Sequence, residues 1–481
     1  MQFNTWSFLY FGLTVLFLYW CLNKRTSLQN FLLLFASYFF YGWMHLVFPV
    51  YLLSLTLIGY LAGKLIESSD TKRKKLVLTI SIILASSCLF VLKYADFIIK
   101  AFSFNAPTES SILHLIVPVG LSFYTFSTIG YIVDVYRGKS PAEKNLVTYG
   151  SYISFFPYLL AGPIPTSTEI LPQFKKDRTL KIHDIEEGLS QIIWGLFKKM
   201  VVADNIGLAV SYCFSNSENL NSITLYAGIV LFSFQIYADF SGYSEIARGV
   251  AKLFGIQLFK NFSMPFFSRN PGEFWRRWHV SLMRWLSSYI YIPLGGRSDN
   301  KLKYILVLLI TFTFSGLWHG ANWTFVLWGL LNGLFFLPYI FMNSMTRYKD
   351  QPAAGRILPG WKEAWGMFIT FNLITLSRVL FKAKDVPAAI TYYKGLLLNF
   401  SPDLPPQFIL ANLKWCILLI VVEWIQRNRE NVLDFDLAKI FKPSNVKLAR
   451  IVRPVFYATV LILIFFFHKQ QSLQEYYYFR F

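Results

Sequence analysis

The sequence predicts an all-α, polytopic membrane protein, and three observations predict it. Of 481 residues, 55% are hydrophobic and only 15% charged, whereas soluble globular domains carry roughly 25% charged residues. Uncharged apolar runs recur along the chain, and a bilayer core needs about 20 such residues per helical crossing. The bases behind the net charge of +20 sit in short blocks between those runs. Lys24-Arg25, Lys72-Arg73-Lys74-Lys75, Lys175-Lys176 and Lys198-Lys199 are read as loop-end bases that orient helices against anionic lipid. Membrane lipid therefore accounts for the charge, and no nucleic-acid partner is expected.

Residues 1–23 are uncharged and end at Lys24-Arg25. Without a basic n-region or a small-residue cleavage site they read as an uncleaved first helix with its N-terminus outside. Residues 26–63 form a second uncharged run, long enough for a hairpin that returns to Lys64. Further spans are expected near 76–92, 113–136, 146–162, 191–213, 222–240, 364–380, 408–426 and 454–468. The run 304–346 lacks Asp, Glu, Lys and Arg, is too long for one crossing and suits two. About eleven crossings are expected, fewer than the apolar runs, in a single membrane-embedded domain over 1–481 without an internal repeat. Several runs between 146 and 300 carry charge or Pro-Gly breaks and suit re-entrant or interfacial helices. The basic segment from Arg427 to Arg453 reads as cytoplasmic. Cys21, Cys88, Cys213 and Cys416 each lie in an apolar run without metal-ligand spacing and read as buried thiols.

Three segments carry chemistry. The first is the turn of the 304–346 hairpin, Gly316-Leu317-Trp318-His319-Gly320-Ala321-Asn322. Basic residues flank both ends of the hairpin, so the turn falls on the extracytoplasmic side and His319 is an ionisable group far from those bases. The second is Asn270-Pro271-Gly272-Glu273 followed by Phe274-Trp275-Arg276-Arg277-Trp278-His279. Asn270 suits an N-cap, Pro271 the first helical position and Glu273 a capping-box acid. The helix should run to the Pro293-Leu294-Gly295-Gly296 break, with Trp275, His279, Leu282 and Leu286 on one face and Glu273, Arg277 and Arg284 opposite. Its charge suits the interface or a dip into the protein, with the imidazole turned inward; a histidine that only bonds a neighbour fits the spacing equally well. The third is Asp239-Phe240-Ser241-Gly242-Tyr243-Ser244-Glu245. A carboxylate at the end of a span can serve a site, although spacing alone favours a helix-end acid with Glu245 paired to Arg248. No metal motif such as H-E-x-x-H occurs, and no metal site is expected.

These segments, in this order, resemble the membrane-bound O-acyltransferase family. The likeness is to its alginate O-acetylation branch, which is related to the D-alanyl transferases of teichoic acid. The matching stretches also include Pro118-Val119-Gly120-Leu121-Ser122-Phe123-Tyr124-Thr125-Phe126, Asp134-Val135-Tyr136-Arg137-Gly138, Phe156-Pro157 and Ala161-Gly162-Pro163-Ile164. Gly195-Leu196-Phe197-Lys198-Lys199, Ala203-Asp204-Asn205, Tyr291-Ile292-Pro293-Leu294-Gly295-Gly296 and the tail Tyr478-Phe479-Arg480-Phe481 complete them. Family members often carry Arg-Asp where this chain has Ser287-Ser288, and a basic residue where it has Pro165-Thr166.

The resemblance implies helices ringed around a thin floor with a central funnel, in a bacterial inner membrane. It implies His319 as the catalytic residue and His279 as a second active-site residue. The activity it implies moves an acyl group, most often acetyl, from a cytoplasmic thioester (acetyl-CoA or an acyl carrier protein) towards a hydroxyl of an extracytoplasmic polysaccharide such as alginate. That donor is a co-substrate, no tightly bound cofactor is implied, and a periplasmic acetyltransferase partner is. Peptidoglycan O-acetylation and D-alanyl transfer are the alternatives within the family. The chemistry fits the residues. An imidazole can take the hydroxyl proton as the new bond forms, and Trp318, Asn322 and Tyr243 are candidate donors to an oxyanion, with Asp239 as a supporting acid. A transporter or a secretion-complex assembly subunit is the reading from another class; the former would also place Asp239 and histidines in the membrane.

Overall fold

A computed structural model describes residues 1–102, 116–342, 344, 347–428, 446–470 and 476. Every regular element among them is helical, as expected. Among the described residues, seven helices are long and apolar enough to cross a membrane: Phe48–Ser68, Thr71–Ile99, Ser222–Leu253, Lys301–His319, Trp323–Phe341, Trp361–Lys382 and Gln407–Gln426. Trp6–Cys21 and Pro454–His468 are shorter apolar helices. This is a multi-pass membrane protein, but the count of eleven crossings is not confirmed. The run 146–162 shows why a hydrophobic run is not always a span. It forms two short buried helices, Leu146–Ser154 and Phe156–Leu159, interrupted at Phe155, with Pro157 in the first turn of the second. The tail Tyr478–Phe481 and most of the basic segment 427–453 lie outside the described residues.

The chain packs as two compact units. The first comprises Met1–Gly188, Ala247–Phe259 and Arg284–Pro293. It holds α1 (Trp6–Cys21), α2 (Thr26–Gly42), α3 (Phe48–Ser68), α4 (Thr71–Leu89), α5 (Ala95–Phe102), α6 (Leu121–Tyr136), α7 (Leu146–Ser154) and α8 (Phe156–Leu159). The expected 26–63 hairpin is α2 and α3. Helix α3 packs on α6 and α2 on α7. Asn30 on α2 locks this unit, its amide donating to the Phe174 carbonyl at 2.8 Å while its oxygen accepts from Arg178 Nη2 at 2.7 Å.

The second unit comprises Leu189–Ile246, Lys260–Met283 and Leu294–Phe481. Helix α9 (Ile182–Leu196) and the 32-residue α11 (Ser222–Leu253) begin or end in it. Also here are α10 (Asp204–Ser215), α12 (Pro271–Arg277), most of α13 (Val280–Leu286), α14 (Lys301–His319), α15 (Trp323–Leu334), α16 (Leu337–Phe341), α17 (Trp361–Lys382), α18 (Val386–Leu398), α19 (Gln407–Gln426) and α20 (Val446–Gln470). The expected 304–346 hairpin is α14 and α15. Its helices touch backbone to backbone because a Cβ at Gly316 would lie 2.1 Å from the Phe325 carbonyl oxygen, and one at Gly329 2.4 Å from that of Phe312. Small residues permit such close approach where lipid supplies no hydrophobic drive between helices.

Two expectations about charge and thiols are overturned. Lys198 and Lys199 are not loop-end bases. They are buried in a π-helical turn, Phe197–Ala203, where carboxylates on neighbouring helical turns offset the cost of burying Lys199. Cys213 and Cys416 are buried as expected, but Cys88 is half-buried and Cys21 exposed, because Cys21 faces outward at the end of α1.

Candidate active site

The second histidine segment departs most from its expectation. Its start is as read: the Asn270 side chain accepts from Glu273 N at 2.7 Å and Pro271 opens α12. Glu273 reaches back one residue further than a capping box requires, accepting from Arg269 N at 2.8 Å, and also holds Arg269 and Arg277 at 3.0 and 2.9 Å. The continuous helix to residue 292 does not form. It breaks at Trp278, which is extended, and at His279, whose φ is +46°. Left-handed backbone costs a non-glycine residue roughly 1–2 kcal/mol, so something must hold it. Residues 261–263 do. Ser263 N donates to the Arg277 carbonyl and Val280 N to the Asn261 carbonyl, both at 2.9 Å. The break removes the single face proposed for Trp275, His279, Leu282 and Leu286.

Asn261 organises both the imidazole and the helix beyond the break. Its Oδ1 accepts from Ser281 N at 3.1 Å and Ser281 Oγ at 3.0 Å, and lies 3.3 Å from His279 Nδ1. Its Nδ2 donates to Ser244 Oγ on α11 at 3.3 Å. Asn261 therefore caps the start of α13 from outside the helix and fixes the imidazole. Because Oδ1 accepts, the proton of neutral His279 belongs on Nδ1 and the basic lone pair on Nε2. His279 is 1% exposed, and burial pushes its pKa below the ordinary imidazole value, since the charged form is the one that loses hydration.

His319 ends α14, immediately before Gly320 and the turn of the hairpin. A Cβ at Gly320 would lie 2.2 Å from the Phe325 ring, so only glycine lets the chain pass there. Aromatic rings meet the imidazole edge to face, among them Trp318 at 4.7 Å, Phe381 at 5.0 Å and Trp328 at 5.1 Å between centroids. The Trp318 ring also meets His279, at 5.7 Å, while Phe240 of α11 closes on His279 at 4.7 Å. The two histidines thus contact one indole, 40 residues apart in sequence but close in space.

The remaining candidates sit elsewhere in this unit. Asp239, one residue before Phe240 on α11, accepts from Lys199 Nζ at 2.8 Å, and Lys199 also meets Asp204 at 2.9 Å. Tyr476 lies over Lys199 with 4.4 Å from Nζ to the ring centroid, and Tyr243 meets Tyr476 edge to face at 5.2 Å. Asp239 and Tyr243 therefore belong to a buried charge cluster, while their neighbour Phe240 packs on His279. Asn322 is the N-cap of α15, accepting from Thr324 N at 3.0 Å, and its amide donates to the Lys384 carbonyl at 2.9 Å. It ties the hairpin turn to the segment after α17. Sequence reasoning missed Asn261, Phe381 and Trp328, and it read Lys199 as a loop-end base and not as a partner of Asp239. The Lys199 pairing could have been suspected from Asp204 five residues on, whereas nothing near Asn261 signals its role. Among the described residues no group of three or more His, Cys, Asp or Glu side chains could hold a metal.

Two buried imidazoles beside one tryptophan can accept and return protons. The chain belongs to the membrane-bound O-acyltransferase family, whose family model matches residues 31–377. It is an O-acyltransferase. It is 34% identical over 406 residues to the "Probable alginate O-acetylase AlgI" of Pseudomonas aeruginosa, covering 82% of this chain and 75% of that one. It is 32% identical over 487 residues to the peptidoglycan O-acetyltransferase of Helicobacter pylori, covering 90% of each. A teichoic acid D-alanyltransferase of Streptococcus thermophilus is 28% identical over 299 residues, 57% of this chain and 70% of its own.

Proposed function

We propose that this enzyme O-acetylates an extracytoplasmic polysaccharide, alginate or a chemically similar exopolysaccharide, from a bacterial inner membrane. The observation that carries the reading is the pair of buried histidines, His279 and His319, on opposite contacts of Trp318. The names of the O-acetylating relatives supply the group transferred and the class of acceptor. The donor is a cytoplasmic thioester, acetyl-CoA or an acyl carrier protein, and acts as a co-substrate. A periplasmic acetyltransferase receives the group or completes the transfer. His319 is the base. It takes the acceptor hydroxyl proton as oxygen attacks the carbonyl carbon, and returns a proton to the thiolate when the carbon–sulfur bond breaks. Positioned proton transfer of this kind contributes typically ~10²- to 10⁴-fold. His279, held by Asn261 in the Nδ1-protonated form, orients one of the reactants.

Peptidoglycan is the second reading, favoured by the Helicobacter pylori relative, which matches 90% of both chains. The two are separated by deleting the gene and measuring ester-linked acetate on secreted polysaccharide and on muropeptides. Loss from the secreted polymer, restored by the wild-type chain, is expected. Loss from muropeptides alone would move the assignment to peptidoglycan. Unchanged acetate on both would overturn O-acetylation as the activity.

A further inference from the structure

Two buried cations of the second unit show how such burial is ordinarily offset, and among the described residues Arg378 lacks both devices, carboxylate and hydrogen bond. In the second unit Lys199 is held by Asp204 and Asp239, and Arg269, 5% exposed, by Glu273 and Glu363. Such pairing is what burial of a charge ordinarily demands, because lost hydration must be replaced by an anion and hydrogen-bond acceptors. Arg378, on α17, is 3% exposed. Among the described residues no carboxylate and no hydrogen bond reaches it, and its Nη1 is fully enclosed. Its guanidinium lies instead among aromatic faces, 4.7 Å from the Trp278 centroid, 5.4 Å from Phe266 and 5.9 Å from Phe274. Cation–π contacts soften the burial but offer none of its five N–H groups an acceptor.

Its position gives that cation a purpose. Trp278 immediately precedes His279 in the chain. On α17 itself, residues three apart share a face, and Phe381, three residues beyond Arg378, packs on His319 at 5.0 Å. The guanidinium therefore stands against the segment that carries His279, on the helix that also supplies the Phe381 ring to His319, in apolar surroundings where a fixed charge acts most strongly. We propose that Arg378 is an anion-binding residue of the transfer site, accepting the negative charge that forms on the acyl carbonyl oxygen. The assignment rests on the acyl-transfer reading of the histidine pair. As the hydroxyl oxygen bonds to the carbonyl carbon, the π pair moves onto the carbonyl oxygen beside Arg378 and the proton passes to His319. Collapse restores the C=O bond, expels the thiolate and returns the proton to sulfur. The planar fork of Arg378 matches an oxyanion better than a lysine ammonium would.

The test is thiol release from acetyl-CoA by inverted membrane vesicles carrying the full chain, with kcat and KM obtained separately at equal protein. Arg378→Gln should lower kcat by about 10²- to 10³-fold, as loss of one oxyanion donor does, with KM within about twofold. Arg378→Lys should recover part of that loss and remain about tenfold below wild type. If Arg378→Gln does not accumulate, Arg378→Lys decides, and wild-type kcat in that variant would overturn the assignment. A rise in KM at unchanged kcat would also overturn it, making Arg378 a binding group for the donor phosphates. Wild-type vesicles that release no thiol would count against acetyl-CoA as donor; polymer acetate in cells, per unit of protein, then replaces kcat in the comparison of Arg378→Gln with Arg378→Lys, and parity of Arg378→Gln with wild type overturns the proposal.

Discussion

The segments that carry His319 and His279 reach the same tryptophan by opposite means. His319 is placed by local structure. A charge-free run folds as two helices, glycines at 316 and 329 let them touch, and the residue before the turn is held among rings contributed largely by the hairpin itself. His279 is placed by distant structure. No glycine or proline interrupts 274–286, yet the helix breaks because residues 261–263 pair with its backbone and Asn261 supplies the cap that α13 lacks. One site is written in a contiguous pattern, the other in a contact across 18 residues. Substitutions should therefore affect them differently.

The largest expected effect is at His319. His319→Ala should lower acetyl content of the polymer at least about 10²-fold at unchanged membrane abundance, and His319→Asn, which cannot accept a proton near neutral pH, should be nearly as poor. His279→Ala should impair transfer less if its role is to orient a reactant. Acetyl content is measured in cells carrying each variant and normalised to protein. Robust acetylation by His319→Asn would leave only a positioning role, and normal acetylation by His319→Ala would remove His319 from the chemistry altogether.

That contrast also explains what could be read in advance. The helical class and the 304–346 hairpin follow from hydrophobic run length and charge position, which act locally. So does the N-cap at Asn270, where residue type and spacing coincide with backbone need. The helix break at 278–279 was illegible because each residue there tolerates a helix, and tertiary hydrogen bonds override propensity. The Lys198-Lys199 block misled for a related reason. A basic pair at the end of an apolar run looks like a loop anchor, and only the fold brings Asp204 and Asp239 to Lys199. The crossing number is not legible from run length alone, because buried apolar runs such as 146–162 look like lipid-facing ones until protein is seen around them.

An intermediate effect is expected at Asn261. Asn261→Leu removes the cap of α13 and the acceptor for His279, which should cost about 1–2 kcal/mol of stability, as lost caps do, and lower transfer with it. Asn261→Asp keeps an acceptor at the same place but adds a negative charge beside the imidazole. In the wild type, burial holds the His279 pKa below its unfolded value. The unfolded chain then takes up a proton that the folded one refuses as pH falls below about 6.5, and stability declines by ~1.4 kcal/mol per pH unit over that window. The carboxylate of Asn261→Asp should raise the folded pKa and flatten the decline. Thermal inactivation of the solubilised protein between pH 7 and pH 5 measures both slopes. Equal slopes would mean that the Asn261 side chain does not govern the His279 proton.

The smallest effect is expected at His45, which tests whether a lone histidine in an uncharged run is enough to mark a reactive one. Like His319, it lies within a stretch free of Asp, Glu, Lys and Arg, so charge patterning cannot tell the two apart. Their surroundings can. His45 is half-buried, accepts from Val47 N through Nδ1 at 3.3 Å and stacks on Phe48 at 5.2 Å. Among the described residues it meets the Phe48 ring, in the first unit, where His319 meets Trp318, Trp328 and Phe381. His45→Ala forfeits that stack and a weak local hydrogen bond, together about 0.5–1.5 kcal/mol, and should leave polymer acetylation within about twofold of wild type. If acetylation collapsed as deeply as in His319→Ala, the charge-free run itself, and not enclosure by Trp318, Trp328 and Phe381, would be the feature that marks the reactive histidine.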